Sequence, residues 1–196
     1  GGKEVKENNI AAWLTPALNI HRSPLCGRNF EYYSEDPLLA GVLAGAMVKG
    51  IQSQGVAATV KHFALNNKET DRKHSDSRVS ERAAREIYLK AFEYVIKGAK
   101  PWAVMSSYNI INGCYASENK ELLEDILRDE WGFDGMVTTD WWTLGEHYKE
   151  VKAGNDMKMA CGDPKRLKEA MDQGLLTRQD LEHCAERVLN LILKLD

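Results

Sequence analysis

Residues 103–142 read AVMSSYNIINGCYASENKELLEDILRDEWGFDGMVTTDWW. Ala103–Asn109 (AVMSSYN) and Gly135–Trp141 (GMVTTDW) read as strands, each opening on small or β-branched apolar residues and closing on polar ones. Between them Leu122, Leu123, Ile126 and Leu127 recur at helical spacing and stop at the glycine of WGFDG. Strand, helix, strand is the unit of a parallel sheet, because parallel neighbours need a crossover long enough to hold a helix.

The same alternation extends outward. Ala11–Ile20 (AAWLTPALNI) and Gly55–Phe63 (GVAATVKHF) read as strands, and Ala153–Ala160 (AGNDMKMA) as a fifth, interrupted by a Gly-Asn pair. Asp36 before Pro37 supplies an N-cap and a first-turn proline for a helix whose stripe is Leu38, Leu39, Val42, Leu43, Met47, Val48 and Ile51. Ser80 caps a second helix, with Ala84, Ile87, Tyr88, Ala91, Phe92 and Val95 inward, and Ser117 begins the helix of the opening stretch. Thr177 with Asp180 forms a capping box before a last helix carrying Leu181, Cys184, Val188, Leu191 and Ile192. Each stripe is expected to be core. Four or five βα units fall short of the eight in a closed barrel, which takes ~250 residues. The expectation is an α/β fold: an incomplete TIM-type (β/α) barrel with parallel strands, as a single domain over residues 1–196 with no internal repeat or linker.

Composition narrows the partners. With 43% apolar and 28% charged residues the 196-residue chain is an ordinary globular one, outside the disordered range. Lysine plus arginine less acid is 26 − 29 = −3, so no basic field exists to bind nucleic acid. No run approaches the ~18 apolar residues of a membrane span, and GGKEVKENN opens the chain without a signal-like apolar segment. The missing initiator Met points to a processed or truncated chain. Cys26, Cys114, Cys161 and Cys184 stand apart with no CxxC pair, so reduced thiols, a cytoplasmic location, and neither metal nor cofactor are expected.

In parallel βα folds, active sites form beyond the carboxyl ends of the strands, where loops converge. There the sequence sets Asn19, His21, Arg22 and Arg28, then Lys61 and His62, Tyr108 and Asn109, and finally Asp140, Trp141 and Trp142. Guanidinium and ammonium donors with indole surfaces such as Trp141 suit a small polyhydroxylated ligand. Asp140 reads as a nucleophile, a metal ligand or an Asx-turn cap; close to Lys61 and Arg28 its carboxylate would stay ionised, as attack requires. Lys61 and His62 are adjacent in a strand and leave on opposite faces unless the strand is ending. Arg28 has an alternative in a surface salt bridge with Glu31 or Glu35, and KETDRKHSDSR reads as a solvated loop.

The segments NIHRSPLCGRNFEYYSEDPLLAG, KHFALNNKETDR and SSYNIINGCYASENKELLEDILRDEWGFDGMVTTDW resemble, in order and spacing, the central and later part of the catalytic barrel of family-3 glycoside hydrolases, the β-glucosidase group. The resemblance implies a retaining mechanism with Asp140 of TTDWW as nucleophile, and a glycone held by Arg28, Lys61, His62 and Tyr108. It also implies that the acid/base is a glutamate on a separate α/β-sandwich domain, and that early barrel strands precede the first residue here. The chain is therefore expected to work with further polypeptide on a β-glucoside or oligosaccharide. In the N-acetylglucosaminidase branch a histidine follows KHFPGHG; here KHFALNN stands instead, and His74, thirteen positions after Lys61, is a weak substitute. Two rival readings remain: an aldolase-like barrel with Lys61 as Schiff-base lysine, and a non-catalytic sugar-binding fragment.

Overall fold

The structure, a computed structural model, describes residues 1–195. Its elements run α1 (Gly2–Glu7), β1 (Ala12–Trp13), α2 (Pro37–Gln52), β2 (Ala57–Phe63), β3 (Asp76–Ser77), α3 (Glu81–Ala83), α4 (Lys90–Ala99), β4 (Ala103–Ser106), β5 (Ile110–Ile111), β6 (Cys114–Tyr115), β7 (Met136–Thr139), α5 (His147–Ala153), α6 (Pro164–Asp172) and α7 (Arg178–Leu195). A wide π-type turn at Ala84–Tyr88 joins α3 to α4, and a π-type helix at Glu121–Glu130 precedes β7.

Four strands form one parallel sheet in the order β1-β2-β4-β7, with helical crossovers between them. This is the incomplete (β/α) barrel that the sequence predicts. Every residue of β4 and β7 is buried, as is all of β2 except Lys61, the pattern of parallel strands covered on both faces. Phe63 meets Phe92 edge-on at 5.1 Å and Trp131 at 5.9 Å, which ties β2 to α4 and to the helix before β7. A second small sheet, β3-β5-β6, is built from the loops that follow β2 and β4. Among the described residues no helix is long and apolar enough to cross a membrane.

Three of the expected strands are trimmed at their ends, to Ala57–Phe63, Ala103–Ser106 and Met136–Thr139, and the other two are reduced much further. Of Ala11–Ile20 only Ala12–Trp13 is strand, followed by a single bridge from Ala17 to Lys61, because Pro16 has no N–H to give. The segment still tracks β2: the carbonyls of Thr15 and Pro16 accept from Thr59 and Lys61, each at 3.0 Å. Of Ala153–Ala160, Ala153 ends α5 and Gly154 takes a φ of +107° that suits glycine, leaving one bridge from Met157 to Thr138.

The helix ends follow their capping chemistry more closely. Asp36 accepts from the Leu38 N–H at 2.7 Å, and Thr177 and Asp180 cap each other at 2.8 and 3.2 Å. The cap before Glu121–Glu130 is Asn119 rather than Ser117: its Oδ1 takes the Leu122 N–H at 3.0 Å, while Ser117 donates to the buried Glu150 at 2.9 Å.

The expected stripe of α2 is a correction. Leu38, Leu39, Val42 and Leu43 are 51, 49, 58 and 45% exposed, and the packed face is Ala40, Gly41, Ala44, Val48 and Ile51. Small residues face inward because α2 lies close against α4: a Cβ on Gly41 would come within 2.8 Å of Tyr94 Cβ. Ile87 and Ile192 are likewise exposed rather than core.

Candidate functional site

β7 ends at Thr139, so Asp140 stands at its carboxyl end, 8% exposed. Thr139 fixes the exit by accepting from the Met159 N–H at 2.9 Å and donating to the Asp140 carbonyl at 2.8 Å. The Asp140 carboxylate accepts from the Trp141 N–H at 2.7 Å, and its other oxygen lies 3.8 Å from His62 Nε2. Burial pushes its pKa above the ordinary value, against the opposing pull of the Trp141 N–H, Tyr108, Arg72 and Arg28. Desolvation thus outweighs the cationic neighbours, contrary to the simple expectation from charge alone.

β2 delivers two side chains to this rim through a bulge. Val60 pairs with Val104 but Phe63 with Ser106, so one extra residue is accommodated between them. Lys61 and His62 consequently do not part to opposite faces. The amide of Asn19 braces the bulge, donating to the His62 carbonyl and accepting from its N–H, each at 2.9 Å. His62 is 2% exposed; burial, then Arg28, Lys61 and Arg72, hold its pKa well below the usual value and keep it neutral, with Nδ1 lacking a partner. Lys61 sits 3.9 Å from Glu31, and burial lowers its pKa while Glu31 opposes the drop.

Arg28, on the loop after β1, pairs with Glu31 as the sequence allows, and also reaches Glu69 at 3.9 Å. Its side chain is only 16% exposed, so this is an interior pairing rather than a surface one. Tyr108, just beyond β4, donates to the Trp141 carbonyl at 2.7 Å; burial and the adjoining Asp140 push its pKa up to about 12. Trp141 enters through its main chain, with a partly exposed side chain, and Trp142 is 63% exposed.

Arg72 and Glu69 belong to the stretch read as a solvated loop, and both are half-buried. The Arg72 guanidinium lies 4.5 Å over the Tyr108 ring and 2.7 Å from Glu69. Lys73 adds a contact 5.0 Å from the same ring and donates to the Trp142 carbonyl. A dense charge run gives no sign of which member turns inward; the only available signal was its place just past the end of β2. His74 is exposed and bound to Asp71 at 2.8 Å.

The structure therefore brings Asp140, Arg28, Lys61, His62 and Tyr108 together and adds Arg72. A carboxylate that can attack carbon is surrounded by three cations, a neutral imidazole and a phenol, all able to hydrogen-bond hydroxyl groups.

The profile described as glycosyl hydrolase family 3 N terminal domain matches residues 1–191. Beta-glucosidase A of Butyrivibrio fibrisolvens is 66% identical over 182 residues, covering 93% of this chain and 22% of that protein. An exo-alpha-(1->6)-L-arabinopyranosidase of Bifidobacterium longum is 46% identical over 98% of this chain and 26% of its own length. The structure of beta-glucosidase 3B from Thermotoga neapolitana in complex with glucose superposes with a TM-score of 0.94 at 48% identity, over 98% of this chain and 28% of that one. The chain thus spans about a quarter of the length of the relatives it matches. By the profile and these identities, the chain belongs to glycosyl hydrolase family 3, within its N terminal domain.

Proposed function

We propose that this chain supplies the nucleophile and much of the glycone-binding rim of a retaining, β-glucosidase-like glycosidase that releases a terminal β-D-glucosyl or related sugar. Asp140 attacks the anomeric carbon while the bond to the leaving oxygen breaks, giving a covalent glycosyl-aspartate. A second carboxyl group, about 5 to 5.5 Å from the first in retaining enzymes, protonates that oxygen and then activates water to release the sugar and restore Asp140. That acid/base comes from polypeptide outside this chain, which forms part of one barrel domain. Arg28, Lys61, His62, Tyr108 and Trp141 hold the sugar through hydroxyl contacts and ring surface. Four free thiols favour a reducing, cytoplasmic setting.

The observation that carries this reading is the Asp140 carboxylate at the carboxyl end of β7, with His62 Nε2 3.8 Å away and the Trp141 N–H on its other oxygen. Relatives named both β-glucosidase and arabinopyranosidase leave the sugar open within this class. A fluorinated glucoside with a good leaving group, given to the complete enzyme, should leave a covalent adduct on Asp140 by peptide mass spectrometry. An adduct on another residue would reject the assignment.

One observation favours a rival: burial lowers the pKa of Lys61, as a Schiff-base lysine requires. Glu31, 3.9 Å away, works in the opposite direction. Borohydride trapping of a carbonyl substrate on Lys61 separates the two readings. Binding of gluconolactone by a complete enzyme that never cleaves an aryl glucoside would instead favour a sugar-binding protein.

A further inference from the structure

Around Asp140 the charges alternate along a chain of contacts. Lys61 Nζ lies 3.9 Å from one oxygen of Glu31, whose other oxygen pairs with Arg28 Nε. Arg28 Nη1 is 3.9 Å from one oxygen of Glu69, whose other oxygen is 2.7 Å from Arg72 Nη1. Arg72 in turn stacks over Tyr108, whose ring flanks Asp140. Glu69 is itself held by the Asn66 amide at 3.1 Å. The side chains of Glu31 and Glu69 are 24 and 23% exposed, so solvent screens the pairs only in part.

Within this chain of contacts Arg28, Lys61 and Arg72 stand against Glu31, Glu69 and Asp140, and the formal sum over these six, 3 − 3, is zero; Lys73, 5.0 Å from the Tyr108 ring, pairs with none of the three carboxylates. Without Glu31 and Glu69 the same rim would carry a surplus of two positive charges. That surplus would oppose the positive charge an oxocarbenium-like transition state places on the sugar ring. Each carboxylate also touches two cations at once, so it sets their spacing as well as their charge.

We infer that Glu31 and Glu69 are positioning residues of this site: each holds two of the three cations in register and cancels their excess charge, so that Arg28, Lys61 and Arg72 donate to sugar hydroxyls without repelling an electron-poor anomeric centre. The inference rests on the proposed glycosidase reading. It assigns to two carboxylates that never touch the sugar a preference for cationic over neutral ring mimics.

The test uses the complete enzyme, its Glu69→Gln and Glu31→Gln variants, and two inhibitors of glucose shape: a basic piperidine iminosugar, protonated at the assay pH, and neutral gluconolactone. Glutamine keeps the size and removes the charge. The inhibition constant of the iminosugar should rise roughly tenfold more than that of the lactone, a difference worth about 1.4 kcal/mol. Glu69→Asp, which restores the charge with a shorter reach, should return the ratio of the two constants toward the original while kcat stays low. Equal loss for both inhibitors, or none for either, would overturn the inference. If Glu69→Gln does not fold, Glu31→Gln gives the same reading from the other end of the chain of contacts. An adduct away from Asp140 in the unaltered enzyme sinks the glycosidase reading itself, whereas an adduct on Asp140 with an unmoved inhibitor ratio sinks this inference alone.

Discussion

His62 Nε2 stands 3.8 Å from Asp140 Oδ2, and the opposite ring nitrogen, Nδ1, is buried without a partner. A charged imidazole there would face Arg28, Lys61 and Arg72 as well as the loss of water, which is why its pKa falls well below 6.5. The ring acts as a neutral hydrogen-bonding group, and the protein is exposed to acid through it.

The sign of that exposure follows from linkage. The folded-state pKa is depressed, so the contribution is fully present above 6.5. As pH falls below that value the unfolded chain takes up a proton the folded chain refuses, and stability drops by about 1.4 kcal/mol per pH unit until the folded pKa is reached. His147, also lowered by burial, acts in the same direction, whereas Asp140 and Asp156, raised by burial, act in the other. Urea unfolding between about pH 5 and 7 should therefore show a shallower loss for His62→Gln than for the unaltered protein. Parallel curves would contradict the burial of a neutral ring.

Asp140→Asn in the complete enzyme should lower kcat on an aryl glucoside by about a thousandfold or more, since an amide cannot form the covalent intermediate. On the proposed reading, the acid limb of kcat/KM in the unaltered enzyme should fall above the ordinary aspartate range, because burial raises the pKa of Asp140. A limb below that range would show that the cations prevail over desolvation.

Asn19→Ala removes both hydrogen bonds that brace the His62 main chain. Two buried backbone groups lose their partners, so unfolding should become easier by about 1 to 3 kcal/mol. Activity should fall further than that loss of stability explains, because the bulge carries Lys61 and His62. Normal turnover in a folded variant would remove Asn19 from the site.

Glu150 is fully buried, pairs with Lys158, and accepts from Thr143 at 2.6 Å and Ser117 at 2.9 Å. Glu150→Ala should destabilise by about 3 to 5 kcal/mol, because it leaves the half-buried Lys158 ammonium without its carboxylate, held only by the neutral Thr143 hydroxyl and Gly145 carbonyl. Replacing Glu150 and Lys158 together by apolar residues should cost less than the single change, and a double-mutant cycle in urea measures the difference.

Gly135 immediately precedes β7, where a Cβ would sit 2.5 Å from the Trp102 carbonyl. The obstacle is main chain, so Gly135→Ala must shift the strand that ends in Asp140. A loss of about 1 to 3 kcal/mol is expected by thermal or chemical unfolding.

The sequence makes the strand ends legible because β2, β4 and β7 open on apolar residues and turn polar toward their carboxyl ends. That change of character is enough to put Lys61, His62, Tyr108 and Asp140 on one rim. The inward turn of Arg72 was illegible, since it depends on the Tyr108 ring, 36 positions away in the chain, offering its face. The stripe of α2 is not legible from its large apolar residues, because a close helix contact selects small ones such as Gly41 and Ala44. Ser117 and Asn119 are both competent caps, and the choice between them was made by a distant carboxylate, Glu150.

The bulge between Val60 and Phe63 also constrains how this strand can vary over generations. Deleting a single codon there would give regular pairing with Phe63 still opposite Ser106, but only one side chain would remain between Val60 and Phe63, so Lys61 and His62 could not both reach the rim. Changes in ligand preference at this edge are thus open to substitution and closed to changes of length, and diversification by insertion is left to the loops beyond Ala64.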